Sequence, residues 1–520
     1  MKNIIIGSGP AGITAALELS KHKNQEVCVL EKKAYIGGIS ATLDFDGNKV
    51  DLGPHRFFTK SQRVQQLWES VLPLQGKPSI DDIELEHQLS YSKDKNAPDP
   101  EMTDNVLLYR PRLTRIYYSK KFFDYPVSLS FRTLKGLGFL NVMLIGFSYL
   151  KSLLFKKKEV SLEDFFINRF GRRLYETFFK DYTEKLWGIS CKDIPAEWGA
   201  QRVKGISIAQ ILKDIFSKLL LGKRFKTKQT SMIEAFYYPK LGAGQMYEQM
   251  AKIAQNNGAV LSFNSDVEKI KIKDGLIHSV YIKKDGQLQE IVGDNFLSSM
   301  PIKELIEKME GDVAQKVKDV AAFLPYRNVR LAAFLFNKLK IKNTTKIKTY
   351  NNLIPDVWIY IQEKGVKAGR MEIINNFSPY LVKENRNQVC VTVEYFCSDN
   401  DDLWQQKDQD FLKTALDELV QMEIADADDF LSSKSFKIEK AYPAYFGSYK
   451  DFGVIKDFIN SIPNLYPMGR NGMHKYNNMD HSILTALETV DCIVQKNSDK
   501  SLIWEVNTEQ SYHEEKENEK

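Results

Sequence analysis

Cysteine is scarce in this chain: Cys28, Cys191, Cys390, Cys397 and Cys492 are five in 520 residues, an odd number with no C-x-x-C pair. That argues against a disulfide framework and a thiolate zinc site, and points to a reducing, cytoplasmic setting. Charge of one sign is not in excess either. The 73 Lys and Arg against 67 Asp and Glu leave +6, too little over this length to imply a nucleic-acid partner. The seven histidines are scattered singly, so no metal site is expected. No Ser/His/Asp or Cys/His constellation and no internal repeat stand out. The first apolar run begins at residue 3, which leaves no room for a secretory leader. Long apolar runs are absent but for Gly136 to Phe155, interrupted by Asn141, Ser148 and Lys151 and followed by Lys156, Lys157 and Lys158. A buried helix is expected there, with peripheral membrane contact through 136–158 as the alternative.

What is present is rich in pattern. The length implies two or three domains. Residues 3–6 read as a buried strand, 11–21 as a helix and 27–30 as a second strand, a βαβ unit. Between the first strand and the helix stands Gly7-Ser-Gly9-Pro-Ala-Gly12. Gly7 permits the tight turn, Gly9 the approach of a pyrophosphate, and Gly12 close contact of helix and strand. The helix N-terminus then presents free N–H groups to the phosphates. Glu31, nineteen residues after Gly12, is placed to accept bonds from ribose hydroxyls and to repel a 2′-phosphate.

Further on, 162–182 and 206–221 read as helical, 261–300 as short strands with Gly and Asp turns, and 329–336 and 389–396 as strands. A helix over 482–495 closes the folded part. The acidic tail from 498 to 520 is expected to be disordered.

The run Glu31-x5-Gly37-Gly38-x3-Thr42 resembles the FAD signature of the amine-oxidase, protoporphyrinogen-oxidase and UDP-galactopyranose-mutase superfamily. Gly469-Arg470-Asn471, Tyr476 and Asn478-Met-Asp480-His481-Ser482 resemble the flavin segment of the mutase branch, the eukaryotic type above all. The likeness implies an α/β fold: a Rossmann-type FAD-binding domain built from 1–70, 230–300 and 440–497. A mainly helical segment, 71–229, and a mixed-sheet segment, 301–439, would form the substrate side.

The resemblance extends to other positions. Gly53-Pro54-His55 is similar to the family's Gly-Gly-His turn, with proline in place of the second glycine, and sets His55 near the flavin. Tyr237-Tyr-Pro239-Lys-Leu-Gly242-Ala-Gly244 is similar to a loop at the cofactor. With these, the resemblance implies Gly7, Gly9, Gly12, Glu31, Gly38, Thr42, His55, Gly244, Arg470, Asn478 and Ser482 as cofactor residues. Arg202 and Arg370 would clamp a diphosphate as planar forks, and with His55 they are the candidate catalytic residues. Trp187, Trp358, Tyr360, Tyr442 and Tyr476 would line the substrate cleft, with Tyr125 and Arg115 toward the nucleotide.

The implied activity is interconversion of pyranose and furanose forms of a UDP-sugar, UDP-galactose first, by reduced FAD through an N5–sugar adduct, in cell-surface polysaccharide synthesis. NADPH or NADH would serve as external reductant, although no second dinucleotide fingerprint is visible. The alternative is an FAD-dependent oxidoreductase acting on an apolar or amine substrate. Nothing in the sequence fixes an oligomeric state.

Overall fold

A computed structural model describes residues 1–507 apart from 88, 90, 126–135, 197, 198, 200–234 and 285. The Asn-Ile-Ile-Ile run becomes the strand Lys2–Ile6, the centre of a five-stranded parallel sheet. Glu26–Leu30 and then Val260–Ser262 flank it on one side, Asn295–Ser298 and then Leu465–Pro467 on the other. Ile4 and Ile5 are fully buried, as a parallel strand covered on both faces requires. The helix Pro10–Ser20 follows the first strand, and Gly244–Asn256 and Met479–Val494 pack on it. Three distant stretches of chain thus build one dinucleotide-type layer. The expected strands of 261–300 continue into an antiparallel ribbon, Asp266–Lys273, Leu276–Lys284 and Gln287–Val292.

The second large element is a seven-stranded mixed sheet. Its order is Phe430–Pro443, Tyr326–Phe336, Val389–Cys397, Arg370–Ile373, Trp358–Ile361, Thr114–Tyr118 and Lys121–Asp124. The hairpin of 114–124 is a strand contribution from the segment 71–229, whose other described elements are mostly helices. It covers the edge of Trp358–Ile361 by parallel pairing and satisfies backbone groups that would otherwise lie open. Leu107–Pro111 likewise pairs with Ala235–Pro239.

Two faces of this sheet differ. Ile359, Met371, Val391, Val393 and Tyr395 belong to an apolar cluster closed by the helix Asp408–Gln421. The alternate residues look toward the dinucleotide layer.

The helical part begins with Phe139–Leu154. The run 162–182 is not one helix but three, Leu162–Phe170, Arg172–Phe178 and Lys180–Trp187. Gly171, at φ +76°, breaks the first from the second, a conformation that favours glycine. Residues 206–221 lie outside the described ones. Two expectations are corrected. The chain does not lose order at 498, since Ser501–Glu505 is a short helix whose Ile503 and Trp504 are buried. And Phe139–Leu154 is not a core helix, since most of its apolar side chains are exposed. No described helix is long and apolar enough to cross a membrane.

Candidate functional site

Gly7 and Gly12 of the first turn leave no room for side chains. A methyl group on Gly12 would lie 1.8 Å from the Gly7 carbonyl oxygen, and one on Gly38 would lie 3.2 Å from Gly9 Cα. Gly7, Gly37 and Gly38 all have positive φ. Two glycine loops therefore face each other beside the first helix, a cradle of backbone open to a phosphate chain. Glu31 is buried at the end of its strand. Its carboxylate accepts from Ser8 N–H at 2.7 Å, Ser8 Oγ at 2.6 Å and Lys33 N–H at 2.7 Å. Three protein donors hold it in place, and its remaining lone pair is the capacity left for a ribose hydroxyl.

Asp51 ties the neighbouring turns together. It accepts from Thr42 Oγ1 at 2.5 Å, Tyr238 OH at 2.7 Å and Ala243 N–H at 3.1 Å, while His55 Nδ1 lies 3.6 Å away. Thr42 Oγ1 in turn accepts from Gly244 N–H at 2.8 Å. The Thr42 hydroxyl and the Gly244 amide are thus bonded to each other and act as positioning groups here. Asn478 is the N-cap of Met479–Val494, with Ser482 buried in that helix's first turn.

The substrate side is assembled by sheet register. Tyr360 pairs with Arg370 and Arg370 with Glu394, while Trp358 pairs with Glu372 and Glu372 with Thr392. Residues two apart on a strand share a face, so all six point to the dinucleotide layer. Glu394 reaches it: a methyl group on Gly53 would lie 2.9 Å from Glu394 Oε1. Arg370 is ion-paired through Nε to Glu394, lies 3.4 Å from Glu372 Oε1, and donates from Nη2 to Tyr442 OH at 3.0 Å. Burial works against its charge, but Glu394 and the tyrosines around it hold the guanidinium firmly protonated. Burial, with Glu394 beside it, pushes the Glu372 carboxyl well above the ordinary range, and Arg370 only partly offsets this. Two carboxyls against one guanidinium favour the protonated form of Glu372.

Around Arg370 the aromatics close in. Tyr125 and Tyr360 have ring centroids 4.5 Å apart, Tyr182 and Tyr360 5.4 Å, Tyr442 and Tyr476 5.4 Å, and Trp187 and Tyr476 6.3 Å. Arg470 lies over Tyr442 at 4.7 Å and Tyr476 at 4.5 Å. Its Nε and Nη2 are buried without a hydrogen-bond partner among the described residues. The preceding Gly469 abuts the first helix at Ala11, so Arg470 joins the dinucleotide layer to the aromatic cluster. A buried guanidinium with unsatisfied donors favours an anion or polar acceptor beside it. With the glycine cradle and Glu31, the residues present fit a dinucleotide cofactor.

Not every expected residue comes to this place. Arg115 pairs in register with Ile359, on the opposite face of the sheet. Its Nε donates to Asp356 Oδ1 at 2.9 Å and its Nη2 to Oδ2 at 2.6 Å, beneath Phe122. Arg115 is therefore a buried structural ion pair rather than a nucleotide contact, a correction set by strand alternation. Trp358 is on the site face but stands apart, stacked near Phe377 at 6.5 Å with Arg112 over it at 5.3 Å. Arg202 lies outside the described residues.

Sequence reasoning missed Asp51, Tyr182, Glu372 and Glu394. Glu372 stands two residues from Arg370 on the same strand and Glu394 opposite it on the neighbouring one, so their convergence on Arg370 was legible only once the pairing was known. Tyr182, half-buried among Arg370, Tyr360, Tyr442 and Tyr476, carried a signal in sharing a helix with Trp187. Asp81, Asp82 and His87 also meet, around the buried Arg110. The guanidinium makes that group an internal ion network.

Fold and site together define a class: a Rossmann-type dinucleotide layer joined to a mixed sheet, the fold of flavoprotein oxidases and mutases. Residues 5–71 match the NAD(P)-binding Rossmann-like domain family. In particular, the chain has the fold of UDP-galactopyranose mutase. It is similar to the reduced form of that enzyme with a TM-score of 0.76 and 19% identity, over 98% of this chain and 99% of the other. A protoporphyrinogen-oxidase-type protein of Exiguobacterium sp. 255-15 follows with a TM-score of 0.63 and 13% identity, over 95% and 99%.

By sequence, 96 residues are 38% identical to 1-hydroxycarotenoid 3,4-desaturase of Flavobacterium sp. (strain P99-3), covering 18% of this chain and 17% of the relative. Another 26% identity to prolycopene isomerase 1 of an Oncidium hybrid cultivar runs over 294 residues, 52% of this chain and 44% of that one. The chain thus matches less than half the length of these curated relatives.

Proposed function

We propose that the protein is an FAD-dependent mutase that interconverts the pyranose and furanose forms of a UDP-sugar, UDP-galactose being the first candidate. The observation that carries this reading is the convergence of Tyr125, Tyr182, Trp187, Tyr360, Arg370, Tyr442, Arg470 and Tyr476 from six separate stretches of chain. Phenolic hydroxyls and buried guanidinium groups suit a sugar diphosphate, since both donate to its oxygens. When bound and reduced, the flavin would supply a nucleophilic nitrogen for the anomeric carbon.

The chain's own residues do the rest. The facing glycine loops and the first helix hold the pyrophosphate of the cofactor, and Glu31 orients the ribose. Arg370 and Arg470 stabilise the charge of the departing diphosphate. Tyr442, buried, and the half-buried Tyr125, Tyr182, Tyr360 and Tyr476 would exclude water and orient the sugar. His55, set by Asp51, sits at the turn next to Glu394. Arg202 completes the diphosphate clamp in this reading, and NADPH or NADH is the proposed reductant.

The test is to incubate chemically reduced protein with UDP-galactofuranose and to look for UDP-galactopyranose by chromatography. Absence of conversion, with flavin bound and reduced, would overturn the proposal. One observation favours a second reading, an FAD-dependent oxidoreductase of an apolar or amine substrate: Arg370 already faces two glutamates. Substrate-dependent oxygen consumption separates the two, because the mutase reaction has no net redox change.

A further inference from the structure

The helix Phe139–Leu154 is packed on one side only. Ile145 and Tyr149 are buried in the same apolar cluster as Phe165, Phe166 and Trp187. On the other side Leu140, Met143, Leu144, Phe147, Leu150 and Leu154 recur at the spacing of three and four that makes one helical stripe. All six are exposed, Leu140 and Leu154 by 77% and Phe147 by 64%. Leu153, Phe155 and Val160 extend the apolar surface beyond the helix end. A folded protein rarely leaves so continuous a patch to water unless something covers it.

Its charges are equally one-sided. Residues 136–158 contain Lys151, Lys156, Lys157 and Lys158 and no acidic residue, and all four lysines are exposed. The nearby arginines are engaged: Arg169 with Glu159, Arg172 with Glu176, and Arg173 with Asn141.

We propose that this face docks the protein on an anionic lipid bilayer, with the helix lying in the headgroup plane. Leucine and phenylalanine enter the acyl boundary, while lysine stems lie along the surface with their ammonium groups at the phosphates. At 16 residues the helix is about 24 Å long, and its other side is held by protein, so it lies on the membrane rather than crossing it. A second copy of the chain would offer the same face apolar surface but no negative charge, whereas anionic lipid supplies both. The proposal stands on this face alone and is independent of the reaction assigned to the site.

The test is sedimentation of the full-length, flavin-loaded protein with vesicles of phosphatidylcholine alone or with about one third phosphatidylglycerol. Wild type should bind the anionic vesicles, less so at high salt. Phe147→Glu with Leu150→Glu should weaken binding at least about tenfold. Replacing Lys156, Lys157 and Lys158 by Gln should weaken it at low salt while leaving the flavin spectrum and circular dichroism unchanged. The proposal is overturned if wild type ignores both vesicle types, if the variants bind as well as wild type, or if gel filtration shows a dimer that the Phe147 and Leu150 changes dissolve while vesicles are not bound.

Discussion

Arg115, buried, and Arg370, half-buried, sit on the same sheet, each paired with a carboxylate, and yet they belong to different chemistry. Arg115 meets Asp356 fork to fork on the face closed by apolar residues. One positive and one negative group balance there, and the pair staples the strand Thr114–Tyr118 to the loop before Trp358. Arg370, on the face toward the dinucleotide layer, meets Glu372 and Glu394 together with Tyr442. That side carries one carboxyl too many and a ring of hydroxyls. A balanced pair is a structural device, while an unbalanced cluster can take up or release a proton or a ligand.

The comparison breaks most readily at its structural end. Asp356→Ala leaves the Arg115 charge buried and unpaired and should lower stability by about 3–5 kcal/mol in urea unfolding. Equal stability of the variant would mean that the pair holds nothing. At the other end, Arg370→Ala should reduce UDP-sugar conversion about 100-fold through lost charge stabilisation, read as kcat/KM. Full activity in that variant would remove Arg370 from the site.

A subtler prediction concerns the extra carboxyl. Because burial raises the Glu372 pKa in the folded protein, the unfolded chain loses this proton first as pH rises. The stability that the bound proton confers is complete below about pH 4.3, the ordinary glutamate value. It falls as pH climbs toward the folded-state pKa, by about 1.4 kcal/mol per pH unit at most. Glu372→Gln should abolish that slope and be the more stable protein at alkaline pH, as urea midpoints across pH will show. The smallest effect is expected at the edge of the cluster. Tyr182→Phe should raise KM by about tenfold at most, the worth of one hydrogen bond, with kcat nearly unchanged.

Much of the site was legible in the residues themselves, and the reasons differ by region. Local signals succeeded where one short segment performs one task. The turn Gly7 to Gly12 and the pair Gly37-Gly38 are such places, because backbone clearance at a glycine is a local property. Reading failed where a side chain's meaning depended on its face. Arg115 resembled a ligand contact, but a residue on a strand points to one side or the other according to register, and its pairing with Ile359 sends it away. Glu372 and Glu394 were invisible as partners of Arg370 for the same reason. The tail beyond 497 read as polar, yet Lys475 donates to the backbone carbonyl of Trp504 and holds its short helix against the fold.

By itself the sequence determined the βαβ turn, the acidic end of the second strand and the aromatic and basic residues available to a site. Their spacing along the chain encodes these, since each acts within a few residues of itself. Only the tertiary structure decided which arginine faces the dinucleotide layer and which is a staple, and that the helix of 139–154 turns its leucines outward. Strand pairing and helix contact are set between segments hundreds of residues apart, and no single segment contains that information.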